Sequence, residues 1–229
     1  MFIKENLDKI LYEIKDGNRY GEKVTLVGAT KTMDADTINL AIQNGLQVVA
    51  ENKVQEFKEK TDLIKGASQH FIGHLQTNKV KYLVGKIDLI HSVDSLKLAP
   101  EISRVATNRK VTQDVLLEVN VGGELSKSGV TPDTTIEFYN QVKTLDSVRV
   151  KGLMAMLPKT DDQELLKNLV LKMREIYDII KKDDENIEYL SVGMSADYKL
   201  AIDNGANVIR IGSLIFGKRN YGEEQNGIV

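Results

Sequence analysis

Short β-branched runs alternate along the whole chain with longer segments whose apolar residues recur every three or four positions, and that alternation leaves few folds open. The runs read as strands at Val24–Ala29 (VTLVGA), Gln47–Ala50, His70–Ile72, Leu89–Val93, Val115–Val121, Val148–Met156, Tyr189–Val192 and Val208–Ile211, eight in all. Helices are predicted over Asp34–Asn44, Lys53–Lys65, Thr77–Val84, Ser95–Thr107, Pro132–Leu145, Asp161–Lys182 and Ala196–Asn204, with another, Phe2–Lys15, ahead of the first strand. Asp34 or Asp36 at the head of ADTINLAI and the Thr131-Pro132 pair are start signals; Gly45 and Gly205, each after an asparagine, are stops.

Eight strands, each followed by a connection long enough for a right-handed crossover, make a parallel sheet that either stays open or closes on itself. Eight units favour closure, so the expected fold is α/β, a (β/α)8 barrel of the TIM type, with an extra N-terminal helix. An open doubly wound sheet would carry a G-x-G-x-x-G fingerprint after its first strand, where this chain reads VGATKTM. No repeat, low-complexity tract or Pro/Ser-rich linker divides the sequence, and 229 residues suit one barrel-sized domain, 1–229.

Composition then removes several function classes. With 31 basic and 33 acidic residues the formal charge is −2, so no global field draws the chain to nucleic acid or anionic lipid. The absence of cysteine excludes disulfides, thiolate metal sites, Fe–S clusters and a cysteine nucleophile. His70 and His74 have the i, i+4 spacing of a helical metal pair, but Phe-Ile-Gly between them forms strand and turn, so no metal is expected. The N-terminus lacks the apolar core of a signal peptide and no stretch approaches the roughly 18 apolar residues of a spanning helix, so a cytoplasmic protein is expected.

In such a barrel, functional groups sit at the C-terminal ends of the strands, and a phosphate is often held after the seventh and eighth. Those ends are Lys31; Glu51 and Asn52; Gly73 and His74; Asn120 with GGELSKSG; Met154 to Met156; Gly193-Met194-Ser195; and Gly212-Ser213. GMS and IGS, each followed by helix, offer free backbone N–H groups and a hydroxyl, which is an anion cradle or simply a pair of caps. Lys31 at a barrel mouth is either a solvated loop lysine or a desolvated amine able to attack a carbonyl. Arg210, inside the apolar VIRIG, needs a ligand or a buried partner, for which Glu118 in LLEVN is available.

A lysine after the first strand, a cradle after the last two and an arginine between them resemble the pyridoxal 5′-phosphate (PLP) homeostasis proteins, whose barrel is similar to the N-terminal domain of bacterial alanine racemase. The matching strings run from about Leu7 to Tyr221: LVGATKT around Lys31, AENKVQE, HFIGHLQTNK, SKSG, GLMAM, LSVGMSADYKLAI and VIRIGSLIFG. The resemblance implies a Schiff base between Lys31 and the PLP aldehyde, the phosphate on Ser195, Gly212 and Ser213, and Arg210 facing the pyridine nitrogen. It also implies Asn52 and Met154 along the ring, with His70 as a further candidate. The family usually reads Gly-Glu-Asn where this chain has Ala50-Glu51-Asn52. The implied role is a monomeric carrier that keeps PLP in balance, with no catalytic residue assigned. The rivals are a PLP-dependent amino-acid racemase, a Schiff-base aldolase or sugar-phosphate isomerase, and an interaction module.

Overall fold

Eight parallel strands close into a barrel: β1 (Thr25–Ala29), β2 (Val48–Glu51), β3 (Ser68–Phe71), β4 (Leu89–Val93), β5 (Gln113–Val119), β6 (Val148–Ala155), β7 (Tyr189–Ser191) and β8 (Val208–Ile211). Each pairs with its neighbours in sequence, and β8 returns to β1 with Val27 beside Arg210. A computed structural model describes residues 2–217; Tyr221, the far limit of the sequence resemblance, lies outside the described residues. The helices are α1 (Phe2–Ile14), α2 (Ala35–Gln43), α3 (Val54–Lys60), α4 (Leu98–Arg109), α5 (Thr135–Val142), α6 (Gln163–Asp183), α7 (Tyr198–Asp203) and α8 (Ser213–Phe216).

Strands buried on both faces read as near-continuous apolar runs, which is why VTLVGA and VLLEVNV show no clean alternation. The outward faces pack under helices. Leu26, Val49, Ile209 and Ile211 meet Leu7 and Ile10 of α1 and Ile38 and Ala41 of α2, while Phe71, Ile90, Val115, Leu117 and Leu153 join the larger cluster on the other side. The inward face carries Val27, Val48, Ala50 and Val208, and then Leu89, Leu116 and Met154. Helix α1 covers the outside of the β1/β8 seam, where the Asn6 amide donates to the Ile215 carbonyl at 3.1 Å.

The expected start signals function as read. Asp34 accepts from the Thr37 N–H at 2.7 Å, and Pro132 occupies the first position of a 3-10 turn that leads into α5. Two predicted helices differ. Thr77–Val84 is only a 3-10 turn over Thr77–Tyr82, and Lys53–Lys65 ends as α-helix at Lys60 before a 3-10 turn. Short helices depend on tertiary packing, and in the first of these segments only Val80 is buried, whereas the six-residue α7 buries Tyr198, Ala201 and Ile202.

Candidate functional site

The C-terminal strand ends converge on a cavity of about 480 Å³. Its wall takes Lys31 from the turn after β1, Asn52 after β2, Ser195 after β7, Arg210 from β8, and Gly212 and Ser213 at the head of α8. His70 and Met154 are not brought to this wall. Both point into the barrel one pleat deeper; because side chains alternate along a strand, the next inward positions are Ile72 and Met156, and those line the cavity. A second hollow of about 350 Å³ lies under the opposite ends of β1 and β2. It is walled mainly by apolar side chains, with Lys15, Lys23, Thr25 and Gln47, and holds no carboxylate or imidazole to form an acid–base pair with them.

One side of the cavity at the C-terminal strand ends is a set of unused donors. The backbone N–H groups of Ser195, Ala196 and Ser213, and the hydroxyls of Ser195 and Ser213, donate to no acceptor among the described residues. Donors that converge without partners suit an anion. The loop after β7 is held by Asp197, whose carboxylate accepts from the Met194 N–H at 2.5 Å.

Lys31 projects from a clamped segment. The Thr30 hydroxyl donates to Glu51 Oε1 at 2.7 Å, and the Thr32 N–H donates to Glu56 Oε2 at 2.7 Å. Lys60 lies between the two carboxylates, at 3.0 Å from Glu51 and 2.9 Å from Glu56. The residues on both sides of Lys31 are thus tied to one ion triad, and Thr32 is held at a φ of +69°, a conformation a β-branched residue adopts only under such constraint. Burial pushes the Glu51 carboxyl up, against the pull of Thr30 and Lys60. The Lys60 ammonium loses solvation too, but its two carboxylates prevail and raise its pKa.

Arg210, only 5% exposed, is not ion-paired with Glu118. Its Nη1 donates to the Ser191 carbonyl at 2.7 Å and the Ser191 hydroxyl at 2.6 Å, and its Nη2 to the Ala155 carbonyl at 2.9 Å. Neutral acceptors therefore replace the expected counter-charge. Burial lowers its pKa to about 10, so the guanidinium stays charged at neutral pH.

The donation from Arg210 fixes a polar chain through the barrel. Ser191 Oγ accepts from Arg210 and lies 3.2 Å from His91 Nδ1, to which its remaining proton can be donated. His91 then carries its proton on Nε2 and donates to His70 Nδ1 at 3.0 Å. Protonating His70 at Nδ1 would set its N–H against that of His91 Nε2, and protonating His91 at Nδ1 would set an N–H against the Ser191 hydroxyl proton. Burial pushes His70 down to about 4, and burial with the neighbouring His70 and Arg210 charges holds His91 well below the usual imidazole range.

The cavity also takes His74, Ser128 and Met156, which the strand-end reading marked without giving them a role, and Glu118, which the sequence offered only as a partner for Arg210. His74 Nδ1 lies 3.2 Å from Asp94 Oδ2 and 3.1 Å from the Ser128 hydroxyl. The available signal was Glu118, a charge inside an apolar strand; which way it faces follows only from the register of β5.

The alanine racemase N-terminal domain model matches residues 6–220. The pyridoxal phosphate homeostasis protein of Aquifex aeolicus is 42% identical, over 95% of this chain and 98% of its own length. The chain belongs to the pyridoxal phosphate homeostasis protein family. Among solved structures, PipY of Synechococcus elongatus with PLP bound, a protein 29% identical, superposes with a TM-score of 0.80 over 94% of this chain and all (100%) of its own. Alanine racemase from Clostridium difficile shares the fold at 15% identity, with a TM-score of 0.78 over 95% of this chain and 60% of its own.

Proposed function

We propose that this chain binds PLP in the cavity at the C-terminal ends of its strands, holds it as a Schiff base on Lys31, and serves PLP homeostasis without turning over a substrate. The observation that carries this reading is that an amine, a buried cation and unused N–H donors from two loops line one cavity. The residues present fit the group. Lys31 is the amine for an aldehyde, and Ser195, Ser213 and their neighbouring N–H groups suit a phosphate. Asn52 Oδ1 is buried and without a hydrogen-bond partner among the described residues, which leaves an acceptor for a donor on the ligand. The name carried by the family and the PLP in PipY support the same assignment.

Bound PLP supplies an electron sink whose strength depends on protonation of its ring nitrogen. Arg210 only donates and remains charged at neutral pH. Facing that nitrogen, as the sequence resemblance implies, it holds the nitrogen as an acceptor and unprotonated. The sink is then weak, which suits retention better than carbanion chemistry.

The test is the absorbance spectrum of purified protein before and after borohydride reduction, followed by peptide mass mapping. We expect a yellow protein whose reduced adduct maps to Lys31 and is lost in Lys31→Ala. Protein that remains colourless after incubation with PLP, or an adduct on another lysine, overturns the reading. Interconversion of L- and D-alanine by the loaded protein would replace the homeostatic role with a racemase.

A further inference from the structure

The Glu118 carboxylate lines the cavity wall, and the proposed function leaves it without a task. It is 4% exposed, stands on β5 facing the same space as Lys31 and Arg210, and its side chain makes no hydrogen bond or ion pair among the described residues. Buried carboxylates of this kind are ordinarily paired. The obvious partner is committed elsewhere, since Arg210 donates to Ser191 and Ala155.

Resting on the assignment of PLP to this cavity, we propose that Glu118 is a ligand-facing carboxyl that takes up a proton when a phosphate-bearing anion enters, and so sets how the affinity for that anion depends on pH. The charged groups around it favour this direction. From the end of β4, Asp94 adds a second negative charge, partly occupied by His74 from the loop after β3. His91, also on β4, is neutral; from β6 the residue beside Glu118 is Met154. The cations are Arg210 across the barrel and Lys31 at the mouth.

Burial, reinforced by Asp94 and opposed by Arg210, already pushes the Glu118 carboxyl up to about 7. An anion arriving in the same cavity repels the ionised form further, so its binding draws in a proton wherever the free carboxyl is ionised and the bound one is not. The cradle fixes the anion; Glu118 tunes when it stays.

The experiment compares wild type with Glu118→Gln, which keeps the side chain's shape and removes its charge. Pyridoxine 5′-phosphate is the main probe, because it lacks the aldehyde and cannot react with Lys31; PLP is run beside it. From pH 6.5 to 8.5 we expect wild-type affinity for the probe to fall about tenfold more than that of the variant, the linkage of one proton. The titration of the probe's own phosphate is common to both proteins and cancels. Calorimetry at pH 7.5 in two buffers of different ionisation heat should show net proton uptake by wild type, a reading that needs no variant to fold. Parallel pH profiles, or proton release on binding, overturn the assignment while leaving PLP binding intact. If wild type binds neither probe, the PLP reading falls and takes this inference with it.

Discussion

Gly152→Ala is expected to destabilise the barrel by about 4 kcal/mol or more, enough to leave little folded protein. A Cβ on Gly152 would stand 1.8 Å from the Tyr189 carbonyl oxygen and 2.7 Å from its carbon, and Gly152 sits at a φ of +148°. These are backbone atoms of the paired strand, so no side chain can swing aside. The cause lies one residue earlier. Along β5 the register steps from Val115–Val150 to Leu116–Gly152, so Lys151 is an extra residue in β6. That bulge returns Met154 to the interior and presses Gly152 onto β7. Gly21→Ala is the control: Gly21 has a φ of +75° but open space around a Cβ, so the loss there is about 1 kcal/mol. Urea midpoints of the two variants decide the matter, and equal midpoints would mean that β7 yields without cost.

The second large effect is a stability difference that depends on pH. Glu118 has a folded pKa of about 7 against 4.5 unfolded, so its contribution is complete below pH 4.5 and is lost as pH rises through 7, about 3 kcal/mol in all. His70 runs the other way: with a folded value of about 4 against 6.5, its contribution is complete above pH 6.5 and is lost as pH falls toward 4, again about 3 kcal/mol. His91, also depressed, adds to that acid loss. The opposed contributions flatten the wild-type curve between pH 4.5 and 7. In Glu118→Gln only the histidine side remains. Urea unfolding should therefore show the variant gaining about 3 kcal/mol on wild type between pH 4.5 and 8, with a steeper acid decline of its own. The lowered carboxyls of Glu13 and Glu22 are common to both proteins. Parallel curves would show that Glu118 does not titrate in this window.

Local rules made much of the molecule legible. Eight apolar runs, the Asp34 cap, Pro132 and the glycines after Asn44 and Asn204 act over a few residues, so the alternation of elements and the closure it favours could be read directly. The strand-end rule pointed to Lys31, Asn52, Ser195, Gly212 and Ser213, and the charge inside an apolar strand to Arg210; all six line one cavity. Where strands are buried on both faces, however, composition no longer tells inside from outside. His70 and Met154, which the resemblance implied along the ring, lie one pleat below the cavity wall, while Ile72 and Met156 line the cavity. The bulge at Lys151, the commitment of Arg210 to Ser191 and Ala155, the His91–His70 chain and the unpaired carboxyl of Glu118 all depend on contacts between strands far apart in sequence. The order of the elements and the kind of most of them were determined by the sequence alone, because turns and caps are short-range. The facing of each charge inside the barrel was decided only by the tertiary structure, because strand register and barrel closure set which distant groups meet.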